Sequence, residues 1–216
     1  MKSPPFDYLR AESPQQVFAL LAQHGDDARV LAGGQTLLAT LNMRLSQPAL
    51  LVDIGGLTAL RGITVAGSTL RIGALTRHAE IEESALVLQH APLLAQAAPH
   101  IAHRAIRNLG TFGGALAYAD PAAEWPACVL ALGGTLVLAG TRGERRVPAH
   151  DYFLGTSAPR AKTTNCWWRV SCPASPRAGD ITSPSWRGAM ATMPSPAWPP
   201  APTSMAASCT TCAWPS

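Results

Sequence analysis

The sequence has no run of about 18 uncharged apolar residues, the length that a helix needs to cross a bilayer. Its N-terminal segment, M-K-S-P-P-F-D-Y, also lacks the apolar stretch of a signal peptide. With 216 residues, of which 47% are hydrophobic, the chain can form one large domain or two small ones around a real core. We therefore expect a cytoplasmic protein without a membrane span.

An excess of one charge sign is also missing from most of the chain. Residues 1–156 carry 12 Lys and Arg and 12 Asp and Glu, so this part is neutral. The net charge of +4 comes from the last 60 residues, which carry five basic groups against Asp180 alone. A nucleic-acid-binding domain concentrates its basic residues on one face, and the sequence shows no such cluster. We expect no nucleic acid among the partners.

Leucine is absent after Leu154, although it is abundant before that residue. Ten of the 19 prolines, five of the six tryptophans and four of the five cysteines lie beyond residue 156. Five of these prolines fall between residues 194 and 202, where they would break any helix or central strand. We expect residues 157–216 to form an aberrant, disordered tail that buries no coherent core.

A glycine-rich segment at residues 32–38 reads A-G-G-Q-T-L-L and follows the apolar run 29–31. It matches neither the common phosphate-loop pattern nor the dinucleotide-loop pattern. The apolar run predicts a short buried strand, and the residues after the glycines are compatible with a helix or a turn. A strand, a glycine loop and then a helix would direct backbone N–H groups at a phosphate.

A second glycine-rich segment lies within residues 107–126 and reads R-N-L-G-T-F-G-G-A-L-A-Y-A-D-P-A-A-E-W-P. Glycines this dense let bare N–H groups form a concave nest for an anion such as phosphate. Thr111 adds a hydroxyl, and Asp120 can accept hydrogen bonds from the same ligand. Taken alone, such a G-x-x-G-G segment is more often a turn between two strands. Two such segments in one chain favour one extended diphosphate ligand that is held from two sides.

Local patterns predict an α+β protein. Ser13 and Pro14 begin a helix over residues 14–24. A βαβ unit followed by antiparallel strands indicates two α/β subdomains, which we place at residues 1–56 and 57–156. The other predicted elements are strands at 6–8, 28–31, 50–54, 60–65, 69–72, 135–138 and 145–148, and helices at 78–84, 91–103 and 121–132.

Several stretches carry a family resemblance, in order, from about residue 5 to residue 156. They are F-D-Y at 6–8, A-G-G-Q-T-L-L at 32–38, L-V-D-I at 51–54, R-I-G-A-L-T at 71–76, R-N-L-G-T-F-G-G and A-D-P-A-A-E-W-P within 107–126, and G-E-R-R-V-P-A-H-D-Y-F-L-G-T at 143–156. On these residues the chain resembles the FAD-binding (medium) subunit of molybdenum hydroxylases, the carbon monoxide dehydrogenase and xanthine dehydrogenase family. The resemblance implies an α+β protein with the PCMH-type FAD-binding fold of two α/β subdomains.

The resemblance implies FAD as the cofactor, clasped at its diphosphate and ribityl by residues 32–37, the first glycine loop, and residues 110–115, the second glycine loop. Ala115 stands where the family usually has Asn, so one side-chain amide contact is missing. We expect no catalytic side chain and no metal ligand, because the protein would position the flavin rather than supply an acid, base or nucleophile. The residues expected to bind FAD are Ala32, Gly33, Gly34, Gln35, Thr36, Leu37, Gly110, Thr111, Phe112, Gly113, Gly114, Ala115 and Asp120.

The resemblance also implies partners. In the family, electrons pass from a molybdopterin-binding large subunit, through a small subunit with two [2Fe-2S] clusters, to FAD and then to a quinone, NAD or oxygen. The chain would therefore be an oxidoreductase subunit inside a hetero-oligomer. Two alternatives remain open: a stand-alone flavin oxidoreductase of the same fold, and a damaged gene product without function.

The family's chain continues past residue 156 into a C-terminal subdomain, whereas this sequence continues into the unusual tail. When the last base of each codon is joined to the first two bases of the next, residues 165–168 (N-C-W-W) must encode Leu-Leu-Val. The family has a Glu-Leu-Leu-like strand start at this point. We therefore hypothesise a frameshift near residues 155–164 that replaced the C-terminal subdomain.

Overall fold

The computed structural model of the protein describes residues 2–120, 122–153 and 166–174. These residues form a parallel sheet of three strands, an antiparallel sheet of five strands, and the helices that pack with them. The α+β class predicted from the sequence is confirmed. Within the described residues, no helix combines the length and the hydropathy that crossing a membrane requires.

The N-terminal part is a βαβαβ unit. Its elements are β1 Asp7–Arg10, α1 Pro14–His24, β2 Ala28–Leu31, α2 Leu37–Asn42 and β3 Leu50–Asp53. Strands β1 and β2 both run parallel to β3, which gives the sheet order β1-β3-β2. The run Leu50, Leu51 and Val52 in β3 is buried, as expected for a central strand of a parallel sheet.

Helix α1 confirms the prediction for residues 14–24. The hydroxyl of Ser13 accepts a hydrogen bond from the Gln16 amide at 3.3 Å, which satisfies one of the free donors of the first turn. Pro14 occupies the first helical position, where no backbone donor is needed. Val17 and Leu21 pack into the N-terminal core, so the helix is anchored beside the strand that leads into the first glycine loop.

The second part has more elements and an antiparallel sheet. Its elements are β4 Ile63–Ala66, β5 Thr69–Gly73, α3 His78–Glu83, α4 Ala85–His90, α5 Pro92–Ala97, α6 Arg104–Arg107, α7 Phe112–Tyr118, α8 Glu124–Ala131, β6 Thr135–Gly140, β7 Gly143–Pro148, α9 Ala149–Tyr152 and β8 Cys166–Pro173. The sheet order is β4-β5-β8-β6-β7, and every pair of neighbours is antiparallel. Helices α7 and α8 bury Phe112 and Trp125 in the same core as β5 and β6.

The single helix predicted over residues 91–103 is wrong. The chain instead forms α5 from Pro92, a short 3₁₀ turn at Ala98–His100 and the separate helix α6. Pro92 lies in the first turn of α5, where the predicted helix also begins, but Pro99 opens the 3₁₀ turn and interrupts the predicted span. Each proline therefore marks a boundary rather than a kink inside one longer helix.

The expectation that residues 157–216 bury no core is wrong for residues 166–174. Strand β8 lies between β5 and β6, and its Val170 pairs with Ile72 on one side and Leu136 on the other. Val170 and Cys172 are buried at alternate positions, as the pleat of a strand requires. Two inward residues give too short an alternation to detect in the sequence. Residues 157–165 and 175–216 lie outside the described residues.

The subdomain boundary at residue 56 stays a prediction. The described residues form two hydrophobic cores, one under each sheet. The N-terminal core also takes in Leu57, Leu60 and Leu75, which belong to the sequence after that boundary. The two parts are thus joined by shared packing on the side where β5 leads into α3.

Candidate functional site

A cavity of about 590 Å³ lies where the two glycine loops meet. Cofactor sites in proteins are concave and on the order of 300–1,000 Å³, so this size suits a cofactor. Eleven of the 13 residues predicted to bind FAD line it. They are Ala32, Gly33, Gly34, Gln35, Thr36, Leu37, Gly110, Thr111, Gly113, Gly114 and Ala115.

The first glycine loop offers free backbone donors. Among the described residues, none accepts a hydrogen bond from the N–H groups of residues 32–37. The loop is held by other bonds: Leu38 donates to the carbonyl of Gly34 at 3.0 Å, and the Gln35 side chain donates to the carbonyl of Gly33 at 3.1 Å. Gly34 has φ +71, a conformation that residues with a Cβ rarely adopt. These six consecutive residues line the cavity, and N–H groups without a partner in the described chain suit an anion.

The second glycine loop has used its donors within the protein. Phe112 donates to the carbonyl of Thr76 at 2.9 Å, and Gly113 donates to the carbonyl of Ala74 at 2.9 Å. The remaining donors are also paired: Gly110 with Ile106, and Gly114 and Ala115 with Thr111. Within the described chain, Thr111 alone in this loop has an N–H without an acceptor. The nest of N–H groups predicted here is therefore wrong, because residues 74–76 accept from two of the donors and the chain's own turns, at Ile106 and Thr111, accept from the other three.

The glycines of the two loops allow a close approach between backbones. A Cβ placed on Gly33 would lie 2.3 Å from the Leu109 carbonyl oxygen and 2.9 Å from the Cα of Gly110. A Cβ placed on Gly113 would lie 2.6 Å from the Cβ of Ala74. Neither position leaves room for a side chain, because the neighbouring atoms belong largely to backbone. The two loops thus touch each other directly at the edge of the cavity.

Arg107 fixes the segment that leads into the second glycine loop. Its guanidinium donates to the carbonyl oxygens of Pro99, Ile101 and Ala102 at 3.3, 3.0 and 2.9 Å. Its Nε also pairs with the Glu82 carboxylate at 2.9 Å, and both side chains are largely shielded from solvent. A planar guanidinium suits several acceptors at once. Arg107 therefore holds α6 to α3 and keeps the loop in place.

Two of the predicted site residues lie elsewhere. Phe112 is fully buried in the core, where its ring meets the Trp125 ring edge-on at 5.3 Å between centroids. Asp120 follows the end of α7 and accepts a hydrogen bond from the Ala122 amide at 2.9 Å, within its own turn. Phe112 belongs to the loop by sequence but faces the opposite side, because α7 begins there and turns its first side chain into the core. A contact between Asp120 and FAD stays a prediction.

His78 is the main site residue that the sequence reading missed. It lies at the start of α3, is 5% exposed and lines the cavity. Its backbone amide donates to the Gly110 carbonyl at 3.1 Å, and its Nδ1 accepts from the Trp125 indole N–H at 2.9 Å. Burial, with a smaller effect from the positive Arg107, lowers the pKa of His78 from 6.5 to about 4. The imidazole is therefore neutral at ordinary pH.

Several further cavity residues come from segments far apart in the sequence. They include Arg29, Thr40, Ser46, Ile54, Leu75 and Tyr118. Ile54 and Leu75 fall within stretches that carry the family resemblance, whereas no motif marks the other four positions, which share only the cavity that the fold creates. In the described part of the chain, no group of three or more His, Cys, Asp or Glu residues could hold a metal ion.

Comparisons with known proteins identify the family of this chain. Residues 4–174 match the family described as the FAD binding domain in molybdopterin dehydrogenase. The chain is 49% identical, over 154 residues and 71% of its length, to the 6-hydroxypseudooxynicotine dehydrogenase complex subunit alpha of Paenarthrobacter nicotinovorans. It is 44% identical, over 174 residues and 81% of its length, to the carbon monoxide dehydrogenase medium chain of Hydrogenophaga pseudoflava.

A solved structure gives the same result for the fold. Carbon monoxide dehydrogenase from Hydrogenophaga pseudoflava, in a form that lacks the Mo-pyranopterin moiety, superimposes with a TM-score of 0.80 at 41% identity. The match covers 83% of this chain and 62% of that chain. The chain spans 52% of the first relative and 61% of the second, so it corresponds to a little more than half of each. By sequence and by fold, this chain belongs to the family of FAD-binding domains found in molybdopterin dehydrogenases.

Proposed function

We propose that this chain binds FAD between its two glycine loops and acts as the electron-transfer subunit of a molybdenum-containing dehydrogenase. The observation that carries the proposal is the row of six N–H groups at residues 32–37, which line the cavity without an acceptor in the described chain. Consecutive free N–H groups before a helix suit a diphosphate. Relatives over this region are named as dehydrogenase subunits.

The residues present fit FAD. The first glycine loop would hold the diphosphate, and the apolar side chains of Leu37, Leu75 and Tyr118 offer a wall for the rings. Gly114 lines the cavity from the second loop, and a Cβ there would lie 2.7 Å from the Thr111 hydroxyl, so this position has little room for a side chain. FAD supplies the redox chemistry when it is bound, whereas the side chains of this chain bind it, orient it and exclude water.

The wider role that we propose is supported by the similarity to these relatives. In the proposed complex, a molybdopterin-binding large subunit oxidises the substrate, and a small subunit with two [2Fe-2S] clusters carries the electrons to FAD. A quinone, NAD or oxygen then takes them from the flavin. Similarity to a carbon monoxide dehydrogenase medium chain supports this assembly. The proposed assembly can be tested by co-expressing a tagged form of this chain with the neighbouring genes and purifying it by the tag. If no other subunit co-purifies with the chain, the proposed partners are contradicted.

The FAD site can be tested by replacing Gly33 with Ala. The new Cβ would lie 2.3 Å from the Leu109 carbonyl oxygen, so the two loops would have to move apart. We expect the Kd for FAD to rise about tenfold or more, a loss of about 1.4 kcal/mol. Quenching of flavin fluorescence on titration with the purified protein measures this change.

Gly56→Ala is the matched control. A Cβ on Gly56 would meet the flexible end of the Arg10 side chain at 3.0 Å, and that side chain can shift. This variant should bind FAD like the wild type. If the wild type binds no FAD after reconstitution, the proposed function fails. If Gly33→Ala binds FAD as tightly as Gly56→Ala, the cavity is not the site.

The reading-frame hypothesis for the C-terminal part stays a prediction. It proposes that residues after about 155–164 are translated out of frame. Sequencing the DNA across codons 150–170 tests it. A one-base correction that opens a long alternative frame would support the hypothesis, and the absence of such a frame would contradict it.

A further inference from the structure

The buried pair of His78 and Trp125 determines which imidazole nitrogen carries the proton. The Trp125 indole N–H can only donate, and it donates to Nδ1 of His78 at 2.9 Å. Nδ1 must therefore be the unprotonated, accepting nitrogen. A neutral imidazole then carries its single proton on Nε2.

The pair has a fixed geometry within the core. The two rings lie 5.7 Å apart between centroids, and Trp125 in turn meets Phe112 edge-on at 5.3 Å. Trp125 and Phe112 are both buried, so neither ring has room to turn. The His78 amide also bonds to the Gly110 carbonyl, which fixes the backbone at the same point. Side chain and backbone together set the direction of the imidazole.

The protonated Nε2 lies beside the second glycine loop. A Cβ placed on Gly110 would be 2.7 Å from Nε2, so Gly110 is a glycine because the imidazole occupies this space. No described residue accepts a hydrogen bond from Nε2, yet the atom is not fully enclosed, and His78 lines the cavity. The Nε2–H of His78 is therefore available to donate a hydrogen bond to a ligand in the cavity.

The first glycine loop contacts the same glycine from another side. Gly110 lies between His78 and Gly33: its Cα would be 2.9 Å from a Cβ on Gly33. His78 and residues 32–37, whose N–H groups have no acceptor among the described residues, thus line the same cavity on either side of Gly110. A diphosphate held by those N–H groups would bring its oxygens close to the imidazole.

We propose that His78 is a ligand-binding residue whose Nε2–H donates a hydrogen bond to an oxygen of the bound diphosphate, with Trp125 as the positioning residue that fixes its tautomer. This proposal rests on the proposed function, because it requires FAD in the cavity. His78 supplies a neutral donor, so it orients the diphosphate without adding a charge.

Two substitutions of His78 separate its two nitrogens. In His78→Asn, the amide oxygen can take the place of Nδ1 and accept from Trp125, but no donor reaches the position of Nε2. In His78→Gln, the amide nitrogen can take the place of Nε2, whereas the acceptor for Trp125 is lost. We expect His78→Asn to keep its Tm but to bind FAD about tenfold more weakly. His78→Gln should retain more of the affinity at a lower Tm.

The tautomer itself is tested by ¹⁵N NMR of the imidazole in the full chain, without ligand and with FAD or ADP. We expect an unprotonated Nδ1 in every state and a shift of the Nε2 resonance when either diphosphate binds. In Trp125→Phe, both tautomers should become populated, and the affinity for FAD should fall about threefold.

The outcomes distinguish the two proposals. If the wild type binds neither FAD nor ADP, the proposed function fails and this inference fails with it. If the wild type binds FAD and His78→Asn binds it equally well at an unchanged Tm, only the role of His78 is overturned. A proton on Nδ1 in the ligand-free protein would also overturn it. Affinities that merely follow Tm across the variants would show a structural role instead.

Discussion

The two glycine loops border one cavity, yet they use their backbone in opposite ways. In the first loop, residues 32–37, no N–H group has an acceptor in the described chain. In the second loop, residues 110–115, five of the six N–H groups already donate to protein oxygens. The first loop is thus a donor surface whose N–H groups have no partner in the described chain, whereas the second is a packed wall whose N–H groups are mostly paired within the protein.

The difference shows that glycine has two separate roles here. Gly34 has a positive φ, so it permits a turn that exposes consecutive N–H groups. Gly113 has no such requirement, but its missing Cβ lets α7 lie against Ala74. Substitutions in the two loops should therefore affect different quantities, ligand affinity in one and the free energy of unfolding in the other.

The largest expected effect is on stability, from Gly113→Ala in the wall. The added Cβ would lie 2.6 Å from the Cβ and 2.7 Å from the Cα of Ala74, where nothing can move without shifting β5 or α7. We expect the free energy of unfolding to fall by about 3 kcal/mol, as for other overpacked sites. Urea unfolding of the ligand-free chain measures it. A loss below about 0.5 kcal/mol, the range of ordinary surface substitutions, would show that the wall is not tightly packed.

The next largest effect is on the pH dependence of stability, and it comes from His78, whose backbone amide donates to the Gly110 carbonyl in the wall. Burial lowers its folded pKa to about 4, from 6.5 in the unfolded chain, and the charged group that acts on it is Arg107. Between these values the unfolded chain binds a proton that the folded chain excludes. Its contribution to stability is therefore complete above pH 6.5 and is lost as the pH falls from 6.5 towards 4.

At pH 5 this loss amounts to about 2 kcal/mol relative to neutral pH. The measurement is the free energy of unfolding of wild type and His78→Gln at pH 7 and pH 5. Gln has no group that titrates in this range. Between pH 7 and pH 5 the free energy of unfolding of His78→Gln should therefore fall by about 2 kcal/mol less than that of the wild type. Equal pH dependence in the two proteins would contradict a depressed pKa for His78.

The smallest expected effect is on binding, from Gln35→Ala in the donor surface. The Gln35 side chain holds the Gly33 carbonyl at 3.1 Å and so steadies the first loop. Its removal should leave the free energy of unfolding within about 0.5 kcal/mol of wild type. The affinity for FAD should fall about threefold, measured by fluorescence titration. A large loss of stability with unchanged affinity would reverse the roles assigned to the two loops.

Local signals in the sequence predicted the parts of the fold that depend on neighbouring residues. The cap at Ser13 and Pro14 gave helix α1, and apolar runs gave β2 and β3. The glycine patterns located both loops. Prediction failed where one residue interrupts a pattern, as at Pro99, or where a pattern is too short, as in β8.

The candidate site was also predicted only in part, because local signals reveal only residues that are neighbours in the sequence. Eleven of the 13 predicted FAD-binding residues line the cavity, because they are contiguous in two loops. His78 was missed, since a single histidine at the start of a helix belongs to no recognisable motif. Phe112 was misplaced, because the direction of its side chain depends on where α7 begins.

The sequence by itself predicted the cofactor class and the two segments that border the cavity, because contiguous glycine-rich motifs carry the family resemblance. The tertiary structure decided which of these segments still has donors to offer. That depends on the carbonyls of Ala74, Thr76 and Ile106, which accept from the second loop, and on the absence of any described acceptor beside the first. Hydrogen-bond partners far apart in the chain leave no trace in a local pattern, so only the folded chain distinguishes the donor surface from the wall.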